Sequence, residues 1–268
     1  MKINNEVILF SIIIWTLIWL GGFFVQSFNN VMFTGLFFLL TSLLLPFIFL
    51  KVKKESLKSI GVHFKFGDIK FYSLIIVLYF FFFGIAILLG NSLLFDLPVN
   101  PSLFLQALLF SPFILLLTIT QAFMEEISWA GWLFTKIKSS YYIKNLTISF
   151  IWIIWHLPFF FWTEQLVMLY PNFRIEVFVV LILHFVISRF LFNWFRAHSN
   201  NTFWAAIIHG VSNTIAFIVG STLGSLPSQN AYLTFVLVAF TNLIFCVFLH
   251  CKYKDSPRFF EEIEQNLS

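Results

Sequence analysis

The chain has 268 residues, 10% charged and 60% hydrophobic, with a formal net charge of +4. A soluble domain carries about 25% charged residues, so a soluble globular enzyme is excluded, and the small basic excess calls for no nucleic acid; it reads as a rim facing anionic lipid. No polar segment is long enough to fold by itself, so residues 1–268 are read as a single integral membrane domain.

Apolar runs of spanning length follow one another at Val7 to Val25, Val31 to Leu50, Phe71 to Gly90, Leu103 to Phe123, Leu146 to Trp162, Phe173 to Phe192, Thr202 to Leu223 and Ala231 to Leu249. Each is close to the roughly 20 residues that cross a bilayer core. Lipid offers a backbone no hydrogen-bond partner, and the alternating pattern of a membrane barrel is absent, so the runs predict an all-α polytopic bundle of about eight transmembrane helices around a polar intramembrane cavity. The first run is too long for a signal-peptide core and is expected to be retained as a span. Between the second and third runs, Lys51 to Lys70 mixes Lys with Phe and fits either a strip in the lipid interface or a plain solvated loop. With the N-terminus inside, every Lys and Arg except Arg174 falls on the cytoplasmic side, which predicts two cytoplasmic termini.

Ionisable groups inside spans are costly and default to functional sites or buried networks. Four runs carry them: Gln121, Glu125 and Glu126 in the fourth; His156 in the fifth; His184 and Arg189 in the sixth; His209 and Asn213 in the seventh. At about 1.5 Å per residue, Glu125 lies about 16 Å from Lys136, His156 about 18 Å from Lys144, and His209 about 12 Å from Asn201. These depths agree, and His184 sits at a similar level as a candidate support. Adjacent Glu125 and Glu126 point about 100° apart, so only one can aim squarely into a shared cavity. His209 and Asn213 share a face, and Gly210 beside them allows a neighbouring helix to approach closely.

A buried carboxylate beside an imidazole can activate a water molecule, and an imidazole–amide pair can receive a developing oxyanion. Hydrolysis of an amide needs both halves. Each residue alone also fits a bland role: the two Glu in a bundle network, His156 in an aromatic belt, His209 and Asn213 as interhelical glue.

The stretches "EEISWAGWLF", "WIIWH" and "HGVSN", in that order on successive runs, resemble the EExxxR, FxxxH and HxxxN motifs of the CPBP family. That family includes the type II CAAX prenyl endopeptidases and bacteriocin-processing or immunity proteins. The resemblance covers a core of about 103–222. It implies an intramembrane endopeptidase in which Glu125 is the general base, with Glu126 beside it, His156 its partner, and His209 with Asn213 the oxyanion pair. It implies a peptide or membrane-protein substrate, and residence in the bilayer of a bacterial cell. No cofactor is implied; without an HExxH spacing, zinc would need ligands from different helices.

Two positions depart from the motifs. Trp152 stands where Phe is usual, read as a change of packing. Ala130 stands where EExxxR has Arg, which leaves Glu126 without a counter-ion on its own helix. Arg189 and Arg196 are candidate substitutes, but the sequence reading favours a protonated, neutral Glu126, and on that reading Ala130→Arg raises activity. The alternative function is a catalytically impaired family member that binds and regulates a membrane partner or confers bacteriocin self-immunity. A proton-coupled transporter ranks last, because no repeat is detectable.

Overall fold

A computed structural model describes residues 4–26, 31–95, 100–162, 175–222 and 228–253. Among the described residues the architecture is all-helical, with eight long helices: α1 (Asn5–Gln26), α2 (Val31–Lys53), α3 (Ile69–Phe95), α4 (Pro101–Glu126), α5 (Tyr141–Trp162), α6 (Ile175–Ser199), α7 (Thr202–Thr222) and α8 (Ser228–Tyr253). Among the described residues, six helices are long and apolar enough to cross a membrane. In α1 the described apolar stretch is shorter, Asn5–Gly21, and α5 is diluted by Lys144, Asn145 and His156. The protein is a polytopic integral membrane bundle. Lys2, Arg174, Lys254 and Arg258, which entered the charge argument, lie outside the described residues.

The start of α4 is set by Asn100, whose side chain accepts from the backbone N–H groups of Ser102 and Leu103 while Pro101 occupies the first helical position. Its end differs from the expected run. Instead of stopping near Phe123, the helix passes through Glu125 and Glu126 into a π-helical segment, Ile127–Leu133, and a last turn, Phe134–Lys136. Every side chain of the π segment is buried. Trp132 stacks on Phe10 of α1 at 4.3 Å, and the Ser128 hydroxyl donates to the Ser42 carbonyl of α2. Segments of this kind recur at functional sites, because the wide turn re-aims the side chains around it.

α4 packs along α7, and Gly210 sets the distance. A Cβ on Gly210 would lie 2.6 Å from the Ile119 Cα, so the two backbones touch with no side chain between them. One turn further, Thr118 and Thr214 join hydroxyl to hydroxyl at 2.7 Å. α6 lies against α5, α7 and α8, and α1 fills the side formed by α2 and α5.

The connection from Lys51 to Lys70 is neither a free strip nor a plain solvated loop. A short 3-10 turn, Leu57–Ile60, leads into Gly61, whose carbonyl accepts from Thr202 N–H at 2.9 Å. Asn201 donates to the carbonyls of His63 and Lys65, and the Trp204 indole donates to Phe66. The loop thereby closes over the α6–α7 junction. Gly61 adopts φ +76, and a Cβ there would meet the Arg196 guanidinium at 2.6 Å.

Gly210→Ala should force α4 and α7 apart and cost about 1–3 kcal/mol, the usual range for overpacking. The measurement is a thermal unfolding midpoint of the purified protein in detergent. An unchanged midpoint would contradict the backbone contact.

Candidate active site

Glu125 and Glu126 end α4 at the turn where the π segment begins, and both are buried. Their side chains serve different neighbours, as the 100° offset requires. Glu126 is fully buried and fully paired. Arg189 of α6 forks onto it, Nη1 donating to Oε2 at 2.6 Å and Nη2 to Oε1 at 3.0 Å. His209 of α7 donates from Nδ1 to the same Oε1 at 2.8 Å. Two parallel N–H···O bonds from a guanidinium are the strong geometry for a carboxylate.

This corrects the expectation of a protonated Glu126. Both its oxygens accept from charge-bearing donors at side-chain exposures of 0% for Glu126 and Arg189, an arrangement that requires an ionised carboxylate. Arg189 supplies from α6 the cation that the motif places on α4. Arg196, the other candidate, is used elsewhere: it donates to the Ala130 carbonyl at 3.0 Å and to Asn200 at 2.7 Å, fastening the π segment to the end of α6.

Glu125 and His156 line one cavity of about 380 Å³ together with Gln121, Trp155 and the α2 residues Leu36 and Phe38. The remaining lining is mostly apolar. Gln121 shares the Glu125 face, as the four-residue spacing predicts. Trp152 donates its indole N–H to Glu125 Oε2 at 3.3 Å. His156 Nδ1 lies 2.9 Å from the Trp152 carbonyl; a carbonyl can only accept, so Nδ1 carries the hydrogen and Nε2 of the neutral ring is the acceptor.

His209 and Asn213 are not among the residues that line this cavity. His209 is 4% exposed, stacked on Phe192 at 4.5 Å, and joins the group from behind through Glu126. Asn213 is half-buried one turn beyond it. His184 lies 3.5 Å from the Ser188 hydroxyl, from which hydrogen bonds continue to Asn242 and Tyr79. Among the described residues, no group of three or more His, Cys, Asp or Glu could hold a metal ion.

Two contacts at the site differ from the preferred sequence reading. Arg189 was considered but not preferred, although an arginine inside a span with no nearby acid on its own helix points to a partner elsewhere. Trp152 was read as packing, although Trp, unlike Phe, brings an N–H donor to its position.

Residues 106–215 match the family described as type II CAAX prenyl endopeptidase Rce1-like. They form a domain of that family. The matched stretch holds all five residues that carry the motif resemblance, and runs from α4 through α7, the helices that meet at the carboxylates. The Rce1-like family is one of proteases, whose members act on peptide substrates. No curated protein matches the chain.

Arg189→Met should destabilise the protein by about 3–5 kcal/mol, since it leaves a buried carboxylate uncompensated. Adding Glu126→Gln should recover part of that loss, a sign that separates the ion pair from simple packing. Ala130 is itself fully buried, so Ala130→Arg places a second cation beside a pair already neutralised. Contrary to the sequence-based expectation, it should lower the amount of folded protein, measured by size-exclusion chromatography of the detergent extract.

Proposed function

We propose that the protein is an intramembrane endopeptidase that hydrolyses a peptide bond of a peptide or membrane-protein substrate, with Glu125 as the general base. The observation that carries this reading is the division of labour between the two carboxylates. Glu126 is saturated by Arg189 and His209, while Glu125 keeps Oε1 beyond its bond to Trp152 and lines the cavity with His156.

In the proposed reaction, Glu125 takes a proton from a water molecule held between it and His156 Nε2. The water oxygen bonds to the carbonyl carbon of the substrate, and the carbonyl oxygen becomes an oxyanion. Glu125 then passes its proton to the amide nitrogen as the C–N bond breaks, which returns the carboxylate and releases an acid and an amine. The motif resemblance assigns His209 and Asn213 to the oxyanion, a role that requires the substrate carbonyl to reach past the Glu125 cavity, which neither of them lines. Because the His209 Nδ1–H is held by Glu126, Nε2 is the nitrogen left for that role.

The apolar lining favours a substrate with small or apolar side chains around the cleaved bond. The distribution of Lys and Arg supports cytoplasmic termini, with the substrate presented from that side.

Glu125→Gln and His156→Ala should each abolish cleavage while leaving membrane insertion and yield unchanged, because base and orienter act as a unit. The test compares membrane-bound and secreted peptides, by mass spectrometry, between cells expressing the wild type and each variant. A substrate found uncut only with the variants supports the assignment. Identical peptide pools for the wild type and Glu125→Gln would overturn it.

A further inference from the structure

Trp152 touches four charged or titratable groups of the site: Glu125, Arg189, His156 and His209. Its indole N–H donates to Glu125 Oε2 at 3.3 Å. Its ring carries the Arg189 guanidinium over one face, 4.2 Å from the centroid. Its backbone carbonyl accepts from His156, and the His156 and His209 rings stand edge-on to it at 4.8 and 5.8 Å. The side chain is 3% exposed, so none of these contacts is shared with bulk solvent.

We propose that Trp152 is a positioning residue that couples Arg189 to Glu125, so that one buried guanidinium serves both carboxylates, Glu126 directly and Glu125 through the indole. The proposal rests on the reading of Glu125 as the base and extends it to how that base is held. An indole nitrogen can donate but cannot accept, so the bond to Glu125 has one direction and selects the orientation in which Oε2 is engaged and Oε1 is left for the cavity. A cation over the π face draws electron density from the ring, which makes the N–H a better donor. The bond therefore strengthens because Arg189 is there. Phe at this position would keep the ring over Arg189 and lose the donor. Trp152 reaches no reacting atom: its effect on the chemistry passes through Glu125.

The test uses the full-length protein with ¹⁵N-labelled tryptophan, purified in detergent micelles. Of the nine indole signals, one per Trp in the chain, the signal missing from Trp152→Phe identifies Trp152. That signal should move when Glu125→Gln replaces a charged acceptor by a neutral one. If it stays in place, the hydrogen bond is absent and the proposal is overturned, whatever the activity. In cells, Trp152→Phe should accumulate like the wild type but process its substrate about 10- to 100-fold more slowly, the loss of one hydrogen bond to a charged group. Wild-type processing by Trp152→Phe would also overturn it. Should the wild type itself cleave nothing, the endopeptidase reading fails and the indole signal alone decides the coupling.

Discussion

A carboxylate with no exposed surface in the middle of a membrane bundle has to be neutralised or to find a counter-ion, and Glu126 finds one in Arg189, with a further donor in His209. The desolvation of two ions is recovered only when geometry is good and the remaining lone pairs are satisfied. Here the guanidinium takes both oxygens and the imidazole shares one of them. Three helices, α4, α6 and α7, are thereby held at one point. Everything else at the site is arranged around that knot: Phe192 stacks on the imidazole, Trp152 covers the guanidinium, and Glu125, the neighbour in sequence, is turned toward the cavity.

The knot can close only because α4 and α7 approach to backbone contact. Gly210 next to His209, opposite Ile119, removes the side chain that would hold them apart. A larger residue would press on the backbone and side chain of Ile119 and push away the helix that carries Glu126. Small residues at helix crossings are common in membranes; this one is placed where the distance between two ionisable groups depends on it. The π segment after Glu126 contributes in a different way, burying Trp129 and Trp132 and bonding to α2 through Ser128. It anchors the far end of the helix, so that the two carboxylates cannot rotate away.

Membrane class and helix positions were readable because hydropathy over some twenty residues needs no knowledge of neighbours. The common depth of Glu125, His156 and His209 was readable for the same reason: helical rise converts sequence distance into height. Rotation about the helix axis was not. Which of two adjacent Glu meets a cation depends on how α6 is turned, and the depth of Arg189, a candidate cation in the sequence, does not show whether its side chain faces Glu126. The role of Arg189 is a relation between residues 63 positions apart. The wide turn at Ile127–Leu133 was equally hidden, since Ser128 and Gly131 within it are common in ordinary membrane helices and signal no change of helical period. Trp152 shows a subtler gap: size and aromaticity were weighed, and the one polar atom that distinguishes it from Phe was not.

Moving the cation from α4 to α6 also changes the order in which the protein can be made. An arginine four residues after Glu126 would accompany it out of the ribosome and into the bilayer, the charge cancelled within one helix. Arg189 is synthesised only after α5 is complete. In the interval Glu126 has no guanidinium to ionise against, and a lone carboxylate crosses a membrane most cheaply with its proton on. The ion pair can form only when α6 docks, so a chain truncated before α6 would lack the guanidinium that neutralises Glu126.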